Sequence, residues 1–205
     1  MENRIGGWLT VAGAAGVVVI TGIYGASPHL ASVPLPLGAD MNEVMRDTLR
    51  AAGNLRLAGN IGLIADLLLI AGVSLLIRRA DTVWRQVFWS LILLSTFMFV
   101  FVDGIAAYVV VPVAQSGSAE TLIAVRGLFD ICFSFGVLTF GAAFLCLGMV
   151  EKGAMRIASL VVALAGIAGY ALFVAGLTQP LLLGFNVGLA GILLILIGLR
   201  HTDVT

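Results

Sequence analysis

Six stretches of this chain are each long and apolar enough to cross a lipid bilayer, and that leaves little choice of fold. They run over about residues 5–26, 56–77, 87–112, 122–149, 155–177 and 180–199. A spanning helix needs roughly 20 mainly apolar residues. In hydrocarbon every backbone N–H and C=O must find a partner inside the structure, so such stretches fold as helices. The expected fold is all-α: a polytopic bundle of six transmembrane helices forming a single domain over residues 1–205. Composition agrees, with 60% hydrophobic and 11% charged residues, where a soluble domain carries roughly 25% charged. A water-soluble globule has no interior large enough to hide that much apolar surface. The first stretch, Ile5 to Gly25, exceeds the ~7–15 apolar residues of a signal peptide, and Ala26-Ser27-Pro28 makes no clean small-x-small cleavage site. It reads as a retained helix.

Lys and Arg outside the spans set the expected orientation. Arg78, Arg79 and Arg85 follow the second span, Lys152 and Arg156 follow the fourth, and Arg4 and Arg200 flank the ends. With six spans these share one side, so both termini should be cytoplasmic in a multi-pass protein of the bacterial inner membrane. The loops Ala114 to Glu120 and Thr178-Gln179-Pro180 carry no basic residue. The exception is the loop between the first two spans, the only long one, whose Arg46 and Arg50, with Arg56 at its end, fall on the outside. It opens with Ser27-Pro28-His29 and Val33-Pro34-Leu35-Pro36, where proline prevents regular helix. From Asp40 to about Ala51, Met41, Val44, Met45 and Leu49 recur at helical spacing, and Asp40 with Glu43 resembles a capping box. An external amphipathic helix over about 40–51, lying over the bundle like a lid, is expected. A plain connector is the alternative.

Four charged residues interrupt the apolar runs: Asp66, Asp103, Arg126 and Asp130. A charge at the bilayer centre costs ~2.5–3.5 kcal/mol on insertion scales. Counted from the outer helix ends at ~1.5 Å per residue, all three aspartates lie about 12–15 Å deep on consecutive antiparallel helices, which points to one site. Gly59, Gly62 and Asp66 follow i, i+3, i+7. Thr96 and Asp103 are seven apart, and Arg126, Asp130 and Ser134 step by four. Each acid thus shares a helix face with small or polar residues, as the lining of a cavity would. Asn60 lies above Asp66 on another side of its helix, and Tyr108 lies above Asp103. Arg126 and Asp130 are spaced to pair. Asp66 and Asp103 then lack a cation unless Arg56 reaches inward, and two carboxyls in contact at low dielectric hold a proton between them. A protonated acid beside a carboxylate and an arginine can donate and abstract protons. The plainer alternative is that an Arg–Asp pair only locks helices together, where membrane hydrogen bonds average ~0.6 kcal/mol.

Other chemistry finds no support in the residues. Motifs of the HExxH, CxxC, GxSxG, Walker or strand-linked GxGxxG kind are absent. His29 and His201 fall on opposite sides, and Arg126 disfavours a carboxylate-only cation site. No metal and no cofactor is therefore expected. No lysine lies in a span, which excludes a retinal Schiff base. Zero net charge argues against nucleic acid. Cys132 and Cys146 sit on one helix about 21 Å apart, beyond the roughly 7 Å a disulfide allows. The Phe97, Phe99, Phe101 and Phe129, Phe133, Phe135 faces could line a pocket or simply meet lipid. Glycines at three- and four-residue spacing in the first, fifth and sixth spans allow close helix approach, and they offer a contact for a homo-oligomer.

The run from Leu55-Arg56-Leu57 to Ala65-Asp66-Leu67-Leu68-Leu69 resembles an uncharacterised bacterial family of small six-helix membrane proteins, which likewise carry an outer helix between the first two spans. That resemblance implies the layout and no activity. The residue inventory also resembles the active site of the small limonene-epoxide-hydrolase family, which is soluble and of different fold. The resemblance implies Asp103 and Asp130 as acid and base, Arg126 as bridge, and Asn60 and Tyr108 as positioners; Asp66 has no counterpart there. The expected function is an integral membrane enzyme performing acid–base chemistry on a lipophilic small molecule: epoxide opening, cyclisation or isomerisation. Asp103, Asp130, Arg126 and Asp66 would be its catalytic set, with Asn60, Tyr108, Ser134 and Thr96 binding substrate. The substrate and membrane lipid would be its partners. A proton-coupled carrier and a non-catalytic membrane subunit are the alternatives.

Overall fold

A computed structural model describes residues 2–25, 39–177 and 180–202, with side chains described over 4–25, 39–177 and 184–202. The proline-rich segment with His29, and Thr178-Gln179, lie outside the described residues. The described chain is helical: α1 (Glu2–Gly25), α2 (Met41–Arg50), α3 (Ala52–Ile77), α4 (Val83–Tyr108), α5 (Val110–Ser116), α6 (Ala119–Val150), α7 (Gly153–Val174) and α8 (Pro180–Thr202). Six of them, α1, α3, α4, α6, α7 and α8, are long and apolar enough to cross a membrane.

These six stand in a ring in chain order, α1 on α3, α3 on α4, α4 on α6 and α6 on α7, with α8 closing against α1. Short connections make sequence neighbours antiparallel neighbours in space. The α7–α8 seam is the thinnest of the ring, and it is pinned by Asn186, whose Nδ2 donates to the Val162 carbonyl at 2.7 Å. Glycines set the helix spacing. A Cβ on Gly13 would meet the Ala65 carbonyl at 2.6 Å, one on Gly72 the Thr10 hydroxyl at 2.6 Å, and one on Gly166 the Val137 carbonyl at 2.8 Å. Many of the glycine faces of α1, α7 and α8 are thus used inside the bundle.

Helices start up to four residues ahead of the apolar runs, at Ala52, Val83, Ala119 and Gly153, and three helix ends also depart from the apolar pattern. The third span does not run unbroken to Pro112: α4 ends at Tyr108 and α5 starts at Val110. Pro112 has no N–H for the Tyr108 carbonyl four residues back, and its ring crowds that carbonyl. The fifth helix stops at Val174, where Gly176 takes a left-handed φ of 72° and Leu177 N–H reaches back to the Leu172 carbonyl at 2.9 Å; this is a glycine C-terminal turn. The sixth continues to Thr202, because backbone pairing does not stop where apolarity does, and so His201 is helical.

The external amphipathic helix is α2. Asp40 caps it, its Oδ1 accepting from Asn42 N–H at 2.9 Å, one position earlier than a full capping box would use. Met41, Val44 and Met45 pack toward the core, and Glu43, Arg46 and Arg50 point out. It docks mainly on α5 and touches α3 and α6. The far end of the bundle packs around Phe88, Trp89, Phe140 and Phe144, with Phe88 and Trp89 centroids 4.7 Å apart, and leaves a small cavity of about 120 Å³ beside Arg85, Glu151 and His201. At its rim Glu151 receives Arg85 at 3.4 Å and Arg200 at 3.1 Å, tying α4 to α8.

Candidate functional site

Asp103 owes its position to two glycines on the facing helix. A Cβ on Gly59 would meet the Asp103 carbonyl at 2.5 Å, and one on Gly62 would fall on the Asp103 carboxyl itself. The stripe Gly59, Gly62, Asp66 is therefore the surface against which α4 lies, and all three are buried. Asp66, one turn below Gly62, lies within hydrogen-bonding reach of Asp103. Their exposures, 1% and 2%, leave both acids in a low-dielectric surround where any polar partner counts for more than in water. Tyr24 of α1 likewise lies within hydrogen-bonding reach of Asp103. Asp66 Oδ2, Asp103 Oδ2 and Tyr24 Oη are buried and make no hydrogen bond among the described residues.

The acids open onto a cavity of about 600 Å³, a size that suits a drug-like molecule. Asp66, Asp103, Arg126 and Tyr24 are its polar groups of consequence. Thr21 also lines it, its hydroxyl turned to the Val17 carbonyl at 2.8 Å, and most of the wall is apolar: Val17 and Ile20 from α1, Leu55 from α3, Phe99 and Val102 from α4, Phe129 and Phe133 from α6, and Val187, Leu189 and Ile192 from α8. Gly136 leaves room for the Phe99 ring, which a Cβ there would meet at 3.0 Å. Phe99 and Phe133 meet at 5.8 Å, and Phe129 stacks on Phe133 at 6.2 Å. Phe97, Phe101 and Phe135 face outward, so each aromatic run divides between cavity and surface by helical periodicity.

Arg126 and Asp130 are both buried and pair at 3.7 Å between Nη2 and Oδ1, one turn apart on α6. The guanidinium also lies over Phe129, 5.3 Å from the ring centroid, within cation–π range. Arg126 lines the cavity; Asp130 is not among the lining residues. Arg56 is exposed and does not reach inward.

The remaining anticipated residues are dispersed. Asn60 and Tyr108 form one unit, Tyr108 Oη donating to Asn60 Oδ1 at 2.6 Å, on the exposed face of α3 and α4. That is outside the cavity, not beside the acids as the epoxide-hydrolase resemblance implies. Thr96 is buried and donates to the Ile92 carbonyl at 2.8 Å within its own helix. Ser134 is buried on α6. Neither lines the cavity. The anticipated cavity between the second, third and fourth spans is also walled by α1 and α8, and α2 contributes no lining residue.

Tyr24 and Asn186 are structural members that residue spacing does not single out. A tyrosine at the end of a span passes for an interfacial anchor. The signal for Asn186 is that it is the one amide inside the sixth span. Among the described residues no three His, Cys, Asp or Glu side chains converge as a metal site would require.

No protein-family model, curated protein or solved structure matches this chain, which is consistent with a resemblance to an uncharacterised family. The arrangement itself is a bundle with six helices long and apolar enough to cross a membrane, holding a buried acid pair and an arginine on a largely apolar cavity.

Proposed function

We propose that this protein is a multi-pass membrane enzyme that moves protons on a lipophilic small molecule, with Asp66 and Asp103 as the exchanging pair. The carrying observation is that two buried carboxyls, within hydrogen-bonding reach of each other, sit beside Arg126 and Tyr24 on the wall of a largely apolar cavity. Two carboxylates so close repel, and the pair is relieved by holding one proton between them. The acid form gives its proton to one atom of the substrate. The carboxylate takes a proton from a second atom on the same face. The pair ends with as many protons as it began; passing the proton from one carboxyl to the other resets it, and exchange of that proton with solvent between turnovers brings solvent hydrogen into the product. The net reaction is an isomerisation, such as a double-bond shift, with no water or co-reactant consumed.

Of the chemistries open to buried acids, this one fits the geometry best. Opening an epoxide with water puts the acid and the water-activating base on opposite sides of the breaking C–O bond, whereas Asp66 and Asp103 stand together on one wall. Arg126 holds a positive charge at the cavity, where it would stabilise charge developing on a substrate oxygen. Asp130 would hold Arg126 in place. Tyr24 would hydrogen-bond the substrate or Asp103.

Orientation belongs to the same proposal. The basic residues Arg4, Arg78, Arg79, Arg85, Lys152, Arg156 and Arg200 gather at the end opposite the cavity. The positive-inside rule then puts both termini in the cytoplasm and the cavity in the outer half of the bacterial inner membrane. A carrier would need a path through the packed Phe88, Trp89, Phe140 and Phe144 half, which speaks against that alternative.

The test is mass spectrometry of lipophilic polyenes, enones and epoxides incubated in deuterated water with purified protein in detergent. Isomerised product carrying deuterium, lost in a folded Asp103→Asn variant, is the expected result. Conversion that survives Asp103→Asn would overturn the assignment. No conversion, together with proton flux in vesicles that needs Asp103, would replace the enzyme by a carrier.

A further inference from the structure

The α1–α8 pair touches along its lower length and parts near the cavity end. A Cβ on Gly191 would meet Val18 at 2.9 Å, and one on Gly188 would meet Thr21 at 3.4 Å. Beyond that, a Cβ on Gly184, Gly22 or Gly25 would meet nothing within 4 Å among the described residues. The gap is lined on both sides by residues of the same cavity that holds the acids, Thr21 and Gly25 on one helix and Gly184 and Gly188 on the other.

The cavity does not stop at the gap. Phe185, Leu189 and Ile192 also line it. At ~100° per residue these three form one stripe of α8, turned away from the buried Ala190 and Leu194. Phe185 is 56% exposed and Ile192 47% exposed. They lie on the lipid-facing side of a helix that is apolar along its length. Among the described residues the cavity lining therefore extends from the exposed face of α8, past both sides of the α1–α8 gap, to Asp66 and Asp103.

We infer that the gap is a side entrance, and that its occupant is a single-chain lipophile drawn from the surrounding leaflet. The chain would lie along Phe185, Leu189 and Ile192, and the reactive group would reach the acids. Hydrocarbon is the medium at that surface, and the wall offers it apolar contact throughout. Closure of the helix pair at Gly188 and Gly191 confines the opening to one gap between two helices, a passage for one chain. The inference rests on the acid–base reading for what happens at the acids; the entrance itself does not depend on catalysis.

The experiment uses the full chain in phosphatidylethanolamine–phosphatidylglycerol vesicles with palmityl alcohol carrying a chain-end diazirine. After illumination, adducts are mapped by peptide mass spectrometry. The wild type should carry adducts at Phe129, Phe133 or Tyr24 in the interior, besides those at lipid-facing Leu67 and Leu164. Gly184→Trp and, independently, Gly25→Trp should lose the interior adducts and keep the lipid-facing ones. Gly53→Trp adds the same bulk at an open position off the cavity and should keep both. Interior adducts that persist in the two blocked variants, or a wild type labelled only on its lipid face, would overturn the entrance. Asp103→Asn should label like wild type. If labelling behaves as stated while no substrate is converted, the acid–base reading fails and the entrance stands.

Discussion

Gly62 and Asp103 form the tightest glycine contact among the described residues, because the carboxyl occupies the space a side chain on residue 62 would need. Gly62→Ala should displace Asp103 and cost about 1–3 kcal/mol, as overpacking does, read as a lower melting temperature in detergent. It should also abolish turnover, because the carboxyl pair is pushed apart. Asp66→Asn and Asp103→Asn should each lower turnover roughly 10²–10⁴-fold, the usual contribution of a positioned proton donor or acceptor. If the two act as one unit, the double variant should be scarcely worse than either single one; losses that multiply would instead separate their roles. Legibility at this scale was uneven. The stripe Gly59, Gly62, Asp66 was readable from spacing, because i, i+3, i+7 always share a helix face. The partner of each acid was not. Asp130 pairs within its own helix by a local rule, whereas the meeting of Asp66 with Asp103 depends on how α3 and α4 cross.

At the scale of elements, the break between α4 and α5 is the least expected feature and has a single local cause. Pro112→Ala restores an N–H to the Tyr108 carbonyl, and the two helices should join. Spin labels at Gly104 and Ser116 would report it as a distance moving toward the ~18 Å of a straight helix over twelve residues. A distance unchanged from the parent would show that α2, which docks on α5, enforces the bend. The amphipathic α2 was legible because its apolar residues repeat at helical spacing and Asp40 precedes them. Its role was not: it lies on α5 rather than over the cavity, and no periodicity within ten residues says what the face will meet.

For the whole molecule, the distribution of basic residues predicts which end faces the cytoplasm. In a background lacking Cys132 and Cys146, a membrane-impermeant maleimide added to intact spheroplasts should label Ser118→Cys and spare Thr82→Cys. The opposite pattern would invert the protein and move the cavity to the inner leaflet. The ionic rim at the packed end should matter little. Glu151→Ala removes contacts to Arg85 and Arg200 that are partly exposed, each worth roughly 0.2–1 kcal/mol, so the melting temperature should fall slightly and turnover should be unchanged.

The amino-acid sequence alone determined the number of long apolar helices, the outer amphipathic helix and the identity of the buried charges. These follow from the bilayer's length requirement, from helical periodicity and from the cost of charge in hydrocarbon, all of which act within one segment. Only the tertiary structure decided the rest: that α8 closes the ring on α1, that Tyr24 and the α8 wall join the site, that Asn60 and Tyr108 leave it, and that Asp66 meets Asp103. Each depends on which helix faces which. In lipid that choice rests on close packing at small residues, and the same glycine stripe reads alike whether its neighbour is α1, α4 or another molecule.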